Sequence, residues 1–554
     1  MNQFKNYRKS YLVVLSVCLL ATSFSQTVTP WITSADKSKL LQQQSTVNFS
    51  SNSGTANVTI NLYPATTYQT MDGFGFCMTE GSAEVISSLS VAQQSSLLTE
   101  LFDVSTGLGI SVLRISIGAS DLSSSDYSYD ETSGDATMAN FSLSGPDLTY
   151  LIPVLKKVLA INPTIKILAT PWSPPRWMKS NSSWVGGSLN STAYTAYANY
   201  FVKYLNAMKT QGITIWAITP QNEPENPNNE PSMSMTASEE TNFINNNLGP
   251  AMAGGGFSAV KIIAYDHNCD DTTYPTYVCN NSSYVDGAAF HLYAGNISAL
   301  TTVKNATGKN VYFTEQYTAS TGSFSGDFGW HLQNVVLGSS NNWAKTVIEW
   351  NLATNSSFGP HTPGGCNTCQ GAVTINSSTA YFRNVSYYII GQISKFVQPG
   401  AVRIQSSSSS SSLMVSAFKN PDGTMAVVAY NANSSIQSVR IAVNGQAFVY
   451  SVPASSAVTF IWNSSPNAVS EVPANRISLS PNPGHTIVTF KLSGSDSNYK
   501  SVSFITLDGK IALNQPVSSE SSINSVNVSG LVNGVYLVKM DGMNDCLYGR
   551  FIKQ

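Results

Sequence analysis

The chain has 554 residues, with 29 basic side chains against 31 acidic ones and a formal net charge of −2. At roughly 100–200 residues per domain that length predicts several domains, and 42% hydrophobic residues exclude wholesale disorder. Only 11% of the residues are charged, well below the roughly 25% of an average soluble protein, so there is no cationic field for a polyanion and nucleic acid is not expected as a partner.

Lys5, Arg8 and Lys9 precede an apolar run at 11–21, and the small residues Ser23 and Ser25 follow it. Basic, apolar, then small is the order of a signal peptide, predicted over residues 1–25. The run is shorter than the roughly 20 residues of a spanning helix, and no later run qualifies, so no transmembrane segment is expected. Residues 26–70 read as loop and strand, with VNFSS and ANVTINLY alternating at period two.

From Met71 the pattern changes. Short β-type runs at 70–76, 112–117, 165–170, 215–219, 260–265, 287–292, 311–314 and 346–350 alternate with helix-type stretches. One such stretch, TAYTAYANYFVKYLNAMKTQG, repeats apolar residues every three or four positions and closes on Gly212. Alternation repeated eight times predicts an α/β fold, a (β/α)8 TIM barrel over residues 71–397, with an open doubly wound sheet as the alternative. After Pro399 the helical register disappears, and VSAF, MAVVAY, VRIAV, FVYSV and VTFIW are strands split by PDG, NANS and NG turns. Residues 398–462 therefore predict a side β-sandwich, joined by strands of 26–70 from the other flank. The serines at 406–412 read as a solvated loop. Residues 463–475 read as a Pro/Ser/Asn-rich linker, and 476–554 as a second small β-sandwich module.

Outside the signal peptide the cysteines are Cys77, Cys269, Cys279, Cys366, Cys369 and Cys546. In an exported chain, Cys269/Cys279 and Cys366/Cys369 are plausible short surface disulfides. A lone Cys-x-x-Cys without a second ligand pair, and without His-x-x-x-His, predicts no metal site.

Barrel chemistry sits at the C-terminal ends of the strands. The fourth run ends ITPQNEP, which places Glu223 there beside Asn222; the seventh ends VYFTEQY, which places Glu315. Two carboxylates across a barrel mouth are what glycoside hydrolysis requires, one protonated to donate to the leaving oxygen and one ionised to attack the anomeric carbon. That pair needs no metal or other cofactor. Trp172 and Trp177 on the third strand end, Tyr293 on the sixth and Trp350 on the eighth offer flat apolar faces to the C–H side of a sugar ring. Arg114 and Asp121 follow the second run, where an Arg–Asp pair could hold a catalytic carboxylate and a sugar hydroxyl. His291 is expected as a hydrogen-bond partner behind the reacting groups. There is no Gly-x-Ser-x-Gly elbow, P-loop or dinucleotide fingerprint.

The segments DGFGFCMTEGSA (72–83), LRISIGASD (113–121), ILATPWSPPRWMK (167–179), WAITPQNEP (216–224), FTEQY (313–317), EWNLA (349–353) and SKFVQPGAVRI (394–404) occur in one order. In this the chain resembles glycoside hydrolase family 30, the lysosomal glucosylceramidase-like group. The resemblance implies a barrel with a side sandwich built from both flanks, and hydrolysis with retention. It implies Glu223 as acid/base and Glu315 as nucleophile, carrying a glycosyl-enzyme intermediate. Asp121, Trp172, Asn222 and Trp350 match sugar-holding positions, and Arg114, His291 and Tyr293 match positions around the nucleophile. The expected carboxyl separation is about 5–5.5 Å, with Glu223 held protonated by a raised pKa. The implied substrate is a β-glucoside, first a glucosylceramide-like glycolipid. An endo-β-1,6-glucan or another β-glycoside is the alternative within the class, and a non-catalytic surface carbohydrate-binding protein the alternative outside it.

SLSPNPG (478–484), LDGK (507–510) and the stretch NGVYLVKM to GRFIKQ (533–554) are similar to the type IX secretion sorting domain. That implies the secretion machinery as a partner and a secreted or cell-surface enzyme. Three features depart from the family pattern: the sixth strand reads His-Leu-Tyr, Glu349 stands before Trp350 where Asp is common, and GPHTPGGCNTCQG (359–371) follows the eighth strand.

Overall fold

The computed structural model describes residues 26–51, 54–143, 145–464, 477, 479–491, 499–506, 509–517, 523–542 and 546–554. The expected signal peptide, and the expected linker beyond Ser464, lie outside the described residues. Two compact units divide the chain, Met1–Pro466 and Asn467–Gln554.

The first unit holds eight parallel strands: β1 (Gly73–Cys77), β2 (Val112–Ser116), β3 (Lys166–Thr170), β4 (Ala217–Ile218), β5 (Lys261–Cys269), β6 (Val285–Gly295), β7 (Asn310–Glu315) and β8 (Ala344–Asn351). They pair in sequence order, and β8 pairs with β1 to close the barrel. That closure excludes the open sheet. Side-chain parity builds the layers. Val112, Leu168, Ala217, Ile263, Ala289, Tyr312 and Ile348 form the inner cluster. Their neighbours Leu113, Ile167, Ile218, Ile262, Ala288, Phe313 and Val347 belong to the larger core under the helices. At Gly75 a Cβ would lie 1.8 Å from the Val112 carbonyl oxygen, so β1 carries glycine where it closes on β2. The helix Tyr194–Thr210 buries Tyr197, Tyr200, Phe201, Tyr204, Leu205 and Met208, the three-and-four spacing read from the sequence. It stops before Gly212, whose φ of 80° suits a residue without Cβ.

The side sandwich draws on both flanks. Val58–Thr70 pairs antiparallel with Val402–Ser408 and parallel with Gln437–Val443, and Thr27–Ser34 pairs antiparallel with Ser456–Asn463. In the strand Thr424–Asn431, Met425, Val427 and Ala429 face the sandwich interior, while Ala426, Val428 and Tyr430 join the barrel core. The alternation of one strand thus fastens the two layers together. The serine run is not wholly a loop. Ser406, Ser407 and Ser408 continue the strand, opposite Leu62, Asn61 and Ile60, because the ladder satisfies their backbone groups. Cys269 and Cys279 are not bridged: both are free and buried in the apolar core, where a thiol packs as a small hydrophobe. The Cys366–Cys369 disulfide does form.

The second unit contains a three-stranded sheet and a four-stranded antiparallel sheet. Val488, Phe490, Val502, Phe504, Val538 and Phe551 lie in its core. Among the described residues no helix is long and apolar enough to cross a membrane.

One buried amide ties the last barrel helix, Val385–Ser394, to the sandwich. Gln392 Nε2 donates to the Trp31 carbonyl and to Thr459 Oγ1, both at 2.9 Å, and its Oε1 accepts from Thr33 Oγ1 at 2.8 Å. Gln392→Leu keeps the volume but strands those groups. It is expected to cost on the order of 3 kcal/mol, measured as a lower denaturant midpoint.

Candidate active site

The C-terminal ends of the strands converge on one buried polar network. Arg114 of β2 is fully buried and spans the barrel mouth. Its Nη1 donates to Glu315 Oε2 at 2.5 Å, and its Nη2 donates to Asn222 Oδ1 at 2.6 Å and to Asp266 Oδ2 at 2.9 Å. The guanidinium also lies over the Trp172 ring, 4.7 Å from its centroid. Asp266, on β5, is the hub. Its Oδ2 accepts from Thr219 Oγ1 at 2.8 Å, and its Oδ1 accepts from Thr314 Oγ1 at 2.7 Å and faces His291 Nε2 at 3.1 Å. Burial pushes the Asp266 carboxyl up, but Arg114 and the His291 and Thr314 hydrogen bonds hold it well below the usual carboxylate range.

His291 Nδ1 lies 3.0 Å from Glu223 Oε1 and 3.8 Å from Glu315 Oε1. Burial alone would lower its pKa, but the charges of Glu315, Asp266 and Glu223 outweigh burial and push it up to about 9. The ring is therefore an imidazolium at neutral pH, and both its N–H groups donate. Glu223 Oε2 accepts from Asn226 Nδ2 at 2.8 Å, and Glu315 Oε1 accepts from Tyr293 Oη at 2.8 Å. A carboxylate oxygen from each glutamate and a His291 nitrogen all fall within 4.8 Å of one another. Three such groups are of the kinds that can ligate a metal ion. The backbone is strained here, with left-handed φ values at Glu223 (45°), Tyr265 (75°) and Asp266 (54°).

The two glutamates titrate in opposite directions. Burial pushes Glu223 up, but the hydrogen bond and charge of His291 carry it below its ordinary value. Burial and the Glu223 charge leave Glu315 above its ordinary value despite His291 and Arg114. The expectation of a raised Glu223 is thus reversed in the free site, because its nearest neighbour is a cation rather than the other carboxylate.

A cavity of about 410 Å³ opens over this network, lined by Glu223, Glu315, Asp121, Tyr293 and Trp350 among others. Trp172 and Asn222 stand in the wall behind it, 1% and 3% exposed, and Trp172 packs on Trp350 with ring centroids 5.3 Å apart. Trp177 serves elsewhere, its Nε1 donating to the Asp130 carbonyl at 3.0 Å. The expected Arg114–Asp121 pair is replaced by Arg114–Asp266; Asp121 lies beyond β2, in the cavity wall. Burial, then the charges of Glu315 and Glu223, push Asp121 up to about 8, so at neutral pH it can donate a hydrogen bond as well as accept one.

Asp266 was missed by the sequence reading although it stands at a strand end, directly after the fifth run, where the rule that found Glu223 and Glu315 also points. Tyr317 and the disulfide, which also line the cavity, carried no such signal. The disulfide lies in the cavity wall rather than on the outer surface, in a cluster with Cys77, Leu122, Trp172 and Trp350. Thr362 N donates to the Asp121 carbonyl at 3.0 Å, and the Cys366 backbone N–H faces the Asp121 carboxyl. The 359–371 segment thus holds a side chain of the cavity. Glu349 faces away from the cavity and accepts from His331 Nδ1 at 2.7 Å.

Residues 71–397 match the Glycosyl hydrolase family 30 TIM-barrel domain, 400–460 the Glycosyl hydrolase family 30 beta sandwich domain, and 478–554 the Secretion system C-terminal sorting domain. The chain is 36% identical over 424 residues to an endo-1,6-β-D-glucanase of Aspergillus fumigatus, covering 71% of this chain and 85% of that one. It is 31% identical over 409 residues to a putative glucosylceramidase of Caenorhabditis elegans, covering 69% and 78%. A solved endo-β-1,6-glucanase superposes with a TM-score of 0.75 at 38% identity, covering 79% of this chain and 99% of that chain.

Because the folded pKa of His291 lies above the unfolded value of 6.5, its stabilising contribution is complete below pH 6.5 and is lost as pH rises toward 9. The His291 share, read as the stability difference between wild type and His291→Asn, should fall across that window by on the order of 3 kcal/mol. His291→Asn should flatten the decline, and calorimetry across the window reads both.

Proposed function

We propose that this chain, which belongs to glycosyl hydrolase family 30 and is a glycosidase, is a retaining endo-β-1,6-glucanase that works through Glu315 and Glu223. The observation that carries the chemistry is the closeness of the two carboxylates. Oxygens within 4.8 Å of one another leave no gap for the attacking water of an inverting enzyme.

In this reading Glu315 attacks the anomeric carbon. Arg114 and Tyr293 each hold one of its oxygens, which fixes its approach and stabilises the ionised form. The C1–O bond breaks as the leaving oxygen takes a proton from Glu223, and a glycosyl ester forms on Glu315. Water then gives its proton to Glu223 and its oxygen to C1, releasing Glu315 with two inversions and net retention.

The low resting pKa of Glu223 is compatible with an acid role, because the proton is stored next to it. His291 Nδ1 and Glu223 Oε1 share one proton across 3.0 Å, and Asp266 braces the far side of the ring. Moving that proton to Glu223 leaves a neutral imidazole and a carboxylic acid facing the leaving oxygen. Asp121, protonated at neutral pH, and Trp350 hold the sugar from the cavity wall, with Trp172 and Asn222 supporting from behind.

The β-1,6-glucan assignment is supported by the similarity to endo-1,6-glucanases over both barrel and sandwich. A glucosylceramide-like β-glucoside is the second reading, favoured by the similarity to the putative glucosylceramidase. The sorting-domain match supports export, with the finished enzyme at the cell surface or outside the cell.

Incubation with pustulan and with glucosylceramide separates the two readings. The expected result is a ladder of β-1,6-gluco-oligosaccharides and no free ceramide; release of ceramide alone would reverse the assignment. Glu315→Gln should lower kcat at least about 10⁴-fold on all substrates. Glu223→Gln should lose about 10²–10⁴-fold on pustulan yet still form the glycosyl-enzyme rapidly from a dinitrophenyl glucoside, whose leaving group needs no proton. Equal losses of both variants on the activated substrate would remove the assigned division of roles.

A further inference from the structure

A second groove, of about 790 Å³, adjoins the catalytic cavity, and Glu225 lines both. We infer that this groove binds the leaving-side glucosyl units of a neutral β-glucan chain, with Tyr277 as their stacking platform. The inference rests on the proposed roles of Glu223 and Glu315 and extends them to the part of the chain that departs.

Direction comes from the acid. A general acid must reach the oxygen that joins the two sugars, so the departing part of the chain lies on its side of the cavity. Glu223 leads directly into Pro224, Glu225 and Pro227, which line the groove. The wall shared by the two spaces, which carries Glu225, is therefore on the leaving side.

Chemistry selects the occupant. The floor is apolar and set: Met235 and Tyr274 are buried, and Tyr274 Oη donates to the Met235 carbonyl at 2.9 Å. Tyr277, on the helix Thr273–Asn281, is 46% exposed at the rim, a large aromatic face open to solvent. Three carboxylates line the same groove, Glu225, Glu239 and Asp271. Two are held by helix caps: Glu239 Oε2 accepts from Thr236 N at 2.8 Å, and Asp271 Oδ1 accepts from Thr273 N at 2.6 Å. Their other oxygens are left to receive hydroxyl groups. Alkyl chains would desolvate these carboxylates without compensation, and a phosphorylated or uronate-bearing chain would be repelled. A neutral sugar presents C–H faces to the ring and hydroxyls to the carboxylates, so the groove fits it on both counts.

The test uses the full chain and reducing-end-labelled β-1,6-gluco-oligosaccharides of two to six units, with kcat/KM measured for each. In the wild type the value is expected to rise with the number of units on the reducing-end side of the cleaved bond. Tyr277→Ala should cut the hexasaccharide-to-disaccharide ratio of kcat/KM about tenfold, the worth of one aromatic platform, mainly through KM. Tyr277→Phe keeps the ring and should keep the ratio. Because each variant is compared with itself on two substrates, a partly unfolded preparation cannot mimic the effect. A wild-type value independent of leaving-side length, or a ratio unchanged in Tyr277→Ala, would overturn the groove while leaving the glucanase reading intact. Failure to cleave any of these oligosaccharides while ceramide is released would overturn the β-1,6-glucan reading, and the groove assignment with it.

Discussion

A fully buried guanidinium organises the mouth of this barrel. Arg114 reaches from β2 to Asn222 past β4, Asp266 on β5 and Glu315 on β7, so one side chain links four strand ends. Burying a cation is costly unless its partners compensate, and removing one partner leaves an uncompensated charge. The cluster is therefore close to all-or-none. Asp266 satisfies Arg114 and His291 at once, and two threonine hydroxyls complete its oxygens. The left-handed backbone at Tyr265 and Asp266 is sustained by that network.

The same network decides where protons reside. Two carboxylates set close together in a buried site would by themselves drive one another's pKa upward. Here His291 stands between them, and Asp266 pins its far nitrogen. The imidazolium takes the proton that Glu223 would otherwise hold, and Glu315 is left raised by burial and by its ionised neighbour. In the proposed mechanism the acid role at Glu223 therefore belongs to a pair of residues sharing one proton rather than to a solitary carboxylic acid.

Chemistry and specificity are built from different material. The polar cluster comes from strand ends, held by barrel hydrogen bonding and by the layered core. The walls that shape the cavity and the groove beside it come largely from connections: the disulfide segment at 359–371 and the loop after Glu223, with the helix that carries Tyr277 lining the groove. Loops can change length and composition without disturbing the barrel. The chain's relatives carry the names of a glucanase and of a putative glucosylceramidase, a difference that variation in such connections can accommodate.

Much of this was legible in the chain. Short β-type runs alternating with helix-type stretches placed all eight barrel strands, and period-3.6 spacing placed the helix ending before Gly212, because burial leaves its mark on local sequence. Strand ends placed Glu223, Glu315, Arg114 and His291 at one face, because a parallel barrel puts every such end at the same rim. What the chain could not state was which rim residues meet. Arg114 pairs with Asp266 and not with the nearer-in-sequence Asp121; Cys269 and Cys279 stay apart although ten residues separate them along the chain; Glu223 is lowered rather than raised. Each of these depends on distances across the barrel and on exclusion of water, which exist only once the strands have closed on one another. Local sequence determines which elements form and which groups arrive at the mouth. Tertiary structure decides their partners, and with the partners their charges.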